Sequence, residues 1–491
     1  MSTTERPRLS RSRPGVPAAA PVRIVHLGLG NFHRAHQAWY TSNAPDAAAW
    51  GIAGFTGRRP DMSDALAPQD GLYTLITRSA AADTFEIISA LSAIHPSTDH
   101  DRYLDYLRQP GVAIVTITVT EPGYLRGPDG RLNLAGAVRA DIAALRGNPS
   151  APVQTLPGKL VAGLLARRAA DAGPITLLSC DNLPENGAVT RTVVNDLAAA
   201  VDQTLLGWVE TNVDFASSMV DRITPASTEA DREAVAAEQG YRDASPVPTE
   251  PFSEWVVSGR FPAGRPQWEA AGVTIVDDAA PFEQRKLWLL NGSHSLLAYA
   301  GSVRGHETID QAIADSACRG WVEQLWDEAS PHIPLPPAGI ADYREALIAR
   351  YTNPRIRHLL AQIAADGSVK LAVRTLPVVR AERRAGRMPL GCASTLGSWV
   401  LHLRGAGAPV KDVHADRFVA AAMSGDLDAG VQAVLSLFDA EVGRDADFVE
   451  AVRAQANAVS TAPAATARGT TPLNPRGARK NTRERARKAE P

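Results

Sequence analysis

Cysteine is scarce in this chain: Cys180, Cys318 and Cys392 stand far apart among 491 residues. An odd number without paired spacing excludes a disulfide framework and a thiolate metal knuckle, and fits a reducing cytoplasm. No histidine, cysteine and carboxylate cluster has zinc-ligand spacing. Charge of one sign is also missing, the formal net charge being −2, so nothing pulls the whole molecule toward nucleic acid or a membrane surface. No apolar run reaches the roughly 18 residues of a spanning helix. The first 21 residues carry arginines, prolines and alanines but no apolar core segment, so they read as a disordered lead and not a signal peptide. What remains is ordinary for a folded protein: 45% hydrophobic and 21% charged residues, with length for two to four domains.

Order is expected from Val22-Arg-Ile-Val-His-Leu27, a short buried strand. Gly28-Leu29-Gly30-Asn31-Phe32-His33-Arg34-Ala35-His36 follows, and a helix-compatible run reaches Tyr40. Strand, glycine turn and helix make the first half of a dinucleotide-binding βαβ unit. Gly28 permits the tight turn, and Gly30 lets backbone approach a pyrophosphate seated on the helix N-terminus. His33 replaces the third glycine of the usual fingerprint. A second strand, Trp50 to Thr56, ends at Gly57-Arg58-Arg59-Pro60-Asp61, where the adenosine ribose would be read. An acid there suits the 2′-hydroxyl of NAD and an arginine the 2′-phosphate of NADP; both types are present.

Tyr73 to Arg78 and Thr84 to Leu91 read as an antiparallel addition to the same sheet. Ala113 to Thr120 is β-branched almost throughout and is expected to be buried on both faces, ending at Glu121. A helix from Leu160 to Ala170, a strand from Pro174 to Cys180 and helical periodicity from Val189 to Trp208 continue the alternation. The result is an α/β, doubly wound sheet. Residues 209 to 281 are less regular, with Met219-Val-Asp221-Arg222-Ile-Thr-Pro225 and Glu250-Pro-Phe-Ser-Glu-Trp255 standing out. Helical patterns dominate from Pro281, including Asp310 to Ser330, Tyr343 to Arg350, Arg355 to Ala365, Ser394 to Leu403 and Asp416 to Phe438. The expected division is a disordered lead to residue 21, a nucleotide-binding domain over 22–281, a mostly α-helical domain over 282–461 and a tail over 462–491. That tail holds eight Lys/Arg against two Asp/Glu and almost no large apolar residue, so it is expected to be disordered and solvated.

The first helix of the second domain, Lys286-Leu-Trp-Leu-Leu-Asn291-Gly-Ser-His294-Ser-Leu-Leu-Ala-Tyr299, is apolar except for a lysine, an asparagine and a histidine. At about 100° per residue Asn291 lies ~140° and His294 ~80° from Lys286, all within one sector. A lysine beside aromatics usually snorkels to the surface. Buried, it must find partners or lower its pKa, which suits a general base for an alcohol. Hydride transfer between a secondary alcohol and a nicotinamide fits these pieces, with Asn182 and Asn291 donating to the substrate oxygen. Oxidation would then rise with pH through the shifted pKa of the lysine. Cys180, at a strand end without a histidine base, reads as a buried structural cysteine.

Gly28-Leu-Gly-Asn-Phe-His-Arg-Ala-His-Gln37, Thr118-Val-Thr-Glu121, Ser179-Cys-Asp-Asn182, Met219 to Pro225 and Lys286-(x)4-Asn291-Gly-Ser-His294 resemble the mannitol dehydrogenase family, the zinc-independent, polyol-specific long-chain dehydrogenases. The resemblance spans residues ~22 to ~460. It implies a Rossmann-type N-terminal domain, a helical C-terminal domain and a site between them. It further implies Lys286 as the base, Asn182 with Asn291 as the oxyanion hole, and His294 positioning the substrate with Asp221 beside it. By the same resemblance Glu121 lies near the proton route, and Lys370 and Arg374 contact distal hydroxyls or a carboxylate. Gly28, Gly30, Asn31, Phe32, Arg58 and Asp61 are the expected contacts of the coenzyme, NAD, with NADP possible. The implied reaction interconverts a polyol and a 2-ketose of mannitol/fructose type without a metal. A hexuronate or a phosphorylated hexitol would be handled by the same chemistry. A non-catalytic nucleotide- or RNA-binding protein is the contrasting class, with only the basic tail offered to nucleic acid. A monomer or small homo-oligomer that does not meet a membrane is expected.

Overall fold

The computed structural model describes residues 6–461; the basic tail and its expected disorder lie outside them. Eleven strands are formed among these residues: β1 (Val22–Leu29), β2 (Gly51–Thr56), β3 (Tyr73–Arg78), β4 (Asp83–Ile88), β5 (Leu91–His95), β6 (Ile114–Ile117), β7 (Ile175–Ser179), β8 (Val213–Asp221), β9 (Val247–Thr249), β10 (Glu254–Ser258) and β11 (Thr274–Ile275). Eight of them build one sheet in the order β11-β10-β8-β7-β6-β1-β2-β5. The run from β5 to β8 is parallel, and β10 joins β8 antiparallel. The strand order reverses between β1 and β6, the crevice where open α/β sheets take their ligands.

Both faces of that sheet are covered, which explains the nearly continuous apolar strands. Val25, Leu27, Val115 and Ile117 pack on one side with the helices Leu156–Ala169 and Asn186–Val201. Ile24, Leu29, Ile114, Leu178 and Val220 pack on the other with Ala35, Ala38, Tyr40, Trp255 and Trp268. The remaining core belongs to the helices after Ala279 and contains Leu289, Leu290, Leu296 and Tyr299 of the seam helix. The α/β, doubly wound, Rossmann-type sheet followed by a helical region is therefore the observed architecture.

Several local expectations differ from what is formed: the helix expected over 355–365 is reduced to Leu360–Ile363, and those over 189–208 and 416–438 are each split in two. Strands β3 and β4 do pair antiparallel, but with β9 they make a separate three-stranded sheet and do not extend the main one. Residues 6–21 are not a loose lead. Leu9 is fully buried with Leu72, Ile76, Val235 and Tyr241, and Arg11 donates to the carbonyls of Asp70, Ser89 and Leu91. One apolar side chain and one multidentate guanidinium suffice to pin a segment that hydropathy alone leaves free. The expected helix over 310–330 is broken at Asp315, whose side chain caps Ser316–Ala329 by accepting from the Ala317 N–H.

Candidate active site

At the switch point the end of β1 passes so close to the residue after β6 that a Cβ on Gly28 would sit 2.1 Å from the Thr118 carbonyl oxygen. Gly28 also has φ +100, so glycine is required twice over. His33, standing where a third glycine is usual, is wholly buried and stacks on His26 of β1 with ring centroids 3.3 Å apart. The space a glycine would leave is thus filled by an imidazole, and burial keeps that imidazole neutral by pushing its pKa well down.

Gly30 is the N-cap of Asn31–Ala35 and no side chain caps this turn, so its first N–H groups remain without an intrahelical acceptor. The side chain of Asn31 is engaged within the protein: Nδ2 donates to Pro225 O (3.2 Å) and Ser227 Oγ (3.3 Å), and Oδ1 accepts from Arg34 (2.6 Å). Phe32 lies against His36, centroids 5.0 Å apart. Backbone N–H groups of this turn, more than these two side chains, are what an anion would meet. Arg58 and Asp61 follow β2 at the same edge of the sheet and are exposed; Asp61 pairs with Arg59 at 3.2 Å. A cradle closed to any Cβ, free N–H groups at the following turn and an acid past β2 fit a dinucleotide.

The seam helix runs without a break from Ala280 to Gly301, but not as one α-helix. Lys286–Asn291 and Leu297–Gly301 are π turns on either side of α-helical Gly292–Leu296. In a π turn residue i bonds to i+5, so Asn291 comes round to the side of Lys286 instead of lying ~140° away as α geometry requires. The widening narrows the angle between Lys286 and Asn291 within the sector they already share.

Lys286 Nζ donates to Asn182 Oδ1 at 2.7 Å and to the Val220 carbonyl at 2.6 Å. Asn182 follows the end of β7 and Val220 is the penultimate residue of β8, so one ammonium group ties the second domain to two adjacent strand ends. Its side chain is half-buried and keeps some solvent contact. It nevertheless lies deep enough for burial to lower its pKa, opposed by Asp221. Among the described residues the Asn182 Nδ2 has no acceptor and neither has the Asn291 side-chain amide, so both donors are open to a ligand. His294 is buried, its Nε2 lacks a partner among the described residues, and burial drives its pKa well down.

Other expected residues stand differently. Both carboxylate oxygens of Asp221 are taken by Arg350 (2.7 and 2.9 Å), and Tyr343 Oη donates to one of them at 3.2 Å. Burial alone would raise the Asp221 pKa; Arg350 overrides it and holds the carboxyl below its usual range. Arg374 donates to Asn291 O (3.3 Å) and Ser295 Oγ (3.1 Å) through Nη1, leaving Nε and Nη2 unused, and burial lowers it to about 10. Lys370 Nζ donates to Ile363 O at 3.2 Å. Glu121, with 65% of its side chain exposed, pairs with Arg126 at 3.2 Å just past β6, outside the hydrogen-bonded group around Lys286. Cys180 is fully buried and burial pushes its thiol far up, so it supplies no thiolate. Among the described residues no group of three His, Cys, Asp or Glu is arranged to hold a metal, and no helix is long and apolar enough to cross a membrane.

Sequence reasoning missed Arg350, Glu250, Arg285 and Glu254. Arg350 donates to Glu250 at 2.8 and 3.0 Å as well as to Asp221, and Arg285 donates to both oxygens of Glu254 at 2.5 and 2.6 Å. The one available signal was the acid-aromatic stretch Glu250-Pro-Phe-Ser-Glu-Trp255, which stood out without a role.

Comparison with known proteins places this geometry. The mannitol dehydrogenase Rossmann domain model matches residues 22–270 and the mannitol dehydrogenase C-terminal domain model residues 278–460. The D-mannonate oxidoreductase of Escherichia coli (strain K12) is 38% identical over 78% of this chain and 80% of its own. A ternary complex of Pseudomonas fluorescens mannitol 2-dehydrogenase with NAD and D-mannitol superposes with a TM-score of 0.73 at 32% identity, covering 93% of this chain and 95% of that one. Substrate-free D-sorbitol dehydrogenase gives a TM-score of 0.83 at 29% identity over 92% and 98%. With two matching domain models over nearly its whole length, the chain belongs to the mannitol dehydrogenase family and is an oxidoreductase of that family.

Proposed function

We propose that the protein oxidises a secondary alcohol of a polyol to the ketone of a 2-ketose, and reverses the reaction, with NAD as coenzyme and Lys286 as general base. The observation that carries this is the pair of bonds from Lys286 Nζ to Asn182 Oδ1 and Val220 O. A neutral amine has two N–H bonds and one lone pair. With both N–H bonds engaged, the lone pair points in the one remaining direction, where an alcohol proton can be taken. In the reverse direction the ammonium returns that proton to the ketone oxygen. Lowering of the Lys286 pKa by burial favours the neutral form that oxidation requires.

Asn182 is turned by the same contact: its Oδ1 accepts from the lysine, so its Nδ2 is presented to the cleft, and the Asn291 amide is equally unengaged. Two such donors stabilise the charge that develops on the substrate oxygen. Neutral His294, with its free Nε2, is suited to a substrate hydroxyl. The coenzyme, when bound, supplies the hydride acceptor; Gly28, Gly30 and the N–H groups of Asn31 and Phe32 would hold its pyrophosphate, and Asp61 its ribose. NAD is favoured by the similarity to the Pseudomonas fluorescens enzyme, whose complex contains NAD. Three free, buried cysteines favour a cytoplasmic setting.

A second reading keeps the chemistry and changes the substrate to a hexuronate and its aldonate. It is favoured by the unused Nε and Nη2 of Arg374 and by the similarity to D-mannonate oxidoreductase. Initial rates over a panel of polyols, 2-ketoses and hexuronates, each with NAD and NADP, test both readings. Turnover of neutral polyols is expected. Turnover confined to hexuronates, and lost in Arg374→Ala, selects the second, and no nicotinamide absorbance change anywhere in the panel overturns both.

A further inference from the structure

Beside the base lies a buried charged cluster whose members come from both domains. Arg350, on the helix Pro337–Tyr351, reaches Asp221 with two bonds and Glu250 with two more, its side chain being 3% exposed. Glu250 also accepts the Ile223 N–H at 2.6 Å, and the guanidinium lies over the Phe252 ring at 4.1 Å. Asp221 directly follows Val220, whose carbonyl holds Lys286 Nζ. The clamp is therefore one peptide unit away from the proposed base.

The charges that face Lys286 can be counted by element. β8 ends in Asp221 and is followed by Arg222, β10 opens with Glu254, and the helix before the lysine contributes Glu283 and Arg285, while Glu250, on the segment leading into β10, reaches this group through Arg350. The helix Pro337–Tyr351 contributes Arg350 and Tyr343, and His36 and His294 complete the surroundings. Both histidines are kept neutral by burial, His36 being lowered to about 3. Tyr343 is kept neutral as well, since burial and the Asp221 charge raise its pKa. Arg285 and Glu254 neutralise each other through two bonds, and Glu283 accepts the Glu185 N–H on the half-buried outer side. What is left is Asp221 and Glu250 with Arg350 bonded to both, the Glu283 carboxylate, and the Arg222 guanidinium, which donates to the Glu250 backbone carbonyl. Of these, Asp221 and Arg350 act most strongly on Lys286, and with opposite sign.

We propose that Arg350 and Glu250 are positioning residues that set the protonation balance of Lys286 from across the domain seam. The guanidinium pins Asp221, and with it the Val220 carbonyl, and offsets the negative charge nearest the base. Glu250 takes back part of that offset. The inference rests on the reading of Lys286 as the base.

Profiles of kcat/KM against pH for alcohol oxidation test it, in the wild type and in Arg350→Met, Arg350→Lys, Glu250→Gln and Lys286→Ala. The wild type is expected to show a limb that rises with pH to a plateau as Lys286 loses its proton. Glu250→Gln moves that limb to lower pH and Arg350→Met moves it to higher pH, each by roughly one unit, the scale of a nearby charge. Arg350→Lys keeps the limb near the wild-type position because the charge remains. Should Arg350→Met not fold, the isosteric Glu250→Gln decides alone. A Glu250→Gln limb that stays in place, or that moves upward, overturns the inference while leaving the base assignment intact, provided Lys286→Ala has lost the limb. A Lys286→Ala enzyme that keeps both activity and limb overturns the base assignment and this inference together. A residue with only a structural role would lower activity without moving the limbs in opposite directions.

Discussion

Two mixed-charge clusters lie at the same edge of the parallel sheet, and they differ in almost everything but composition. Arg58, Arg59 and Asp61 follow β2 in solvent, and the Arg59–Asp61 pair has side chains 84% and 63% exposed. Asp221, Glu250, Arg350 and Lys286 gather at the end of β8, with the first three at 5% exposure or less. Water screens the first group and leaves its side chains free to rearrange around whatever coenzyme arrives. The second group has no water to compensate it, so every charge must be placed and hydrogen-bonded, and each then acts on its neighbours through low dielectric. The exposed cluster can choose a partner; only the buried one can hold a proton at a chosen energy.

Substitutions break this comparison in a definite order. Lys286→Ala is expected to lower turnover by at least about 10², the scale of losing a general acid or base, while leaving the melting temperature near that of the wild type. Near-normal turnover would remove the lysine from the chemistry. Arg350→Met strips a buried guanidinium from two carboxylates and is expected to cost about 3–5 kcal/mol of stability by denaturant unfolding. A loss below about 1 kcal/mol would mean that the clamp opens in solution. Gly28→Ala forces a Cβ to within 2.1 Å of the Thr118 carbonyl at a φ of +100, so a loss of about 1–3 kcal/mol is expected together with weaker coenzyme binding. Unchanged coenzyme titration would show that the turn does not carry the pyrophosphate. The smallest effect belongs to the exposed cluster: Asp61→Ala should shift the preference between NAD and NADP by a few fold, read as the ratio of kcat/KM, with no change in melting.

Opposite pH behaviour of the two directions sharpens the same contrast. Burial lowers the Lys286 pKa, so alcohol oxidation, which needs the neutral amine, rises as pH climbs through that lowered value. Ketone reduction, which needs the ammonium, falls over the same range. Asp61→Ala should move neither limb, since its charge is screened by solvent.

Much of this was legible along the chain because the signals are local. A β-branched strand, a glycine turn and a following helix are contiguous, so the β-α alternation was readable, whereas β5, which pairs with β2 in the main sheet, was not. Lys286, Asn291 and His294 announce themselves as polar interruptions of an apolar helix. Arg350 does not: it sits 129 residues from Asp221 and 100 from Glu250, and in isolation it is one more arginine on an amphipathic helix. The same holds for Leu9 and Arg11, whose partners lie tens to hundreds of residues away. The π turns are hidden for another reason, because a widened turn leaves no periodic trace in so short a segment.

By itself the sequence determined the doubly wound sheet, the helical second half and the residues proposed here as reactive groups, since each depends on residues within one or two elements. Only the tertiary structure decided where the charges fall. Burial and pairing are properties of a place, and Lys286 meets Asn182, Val220, Asp221 and the clamp of Arg350 and Glu250 from four separate stretches of chain. Desolvation and Coulomb interaction depend on those separations in space, which no spacing along the chain encodes.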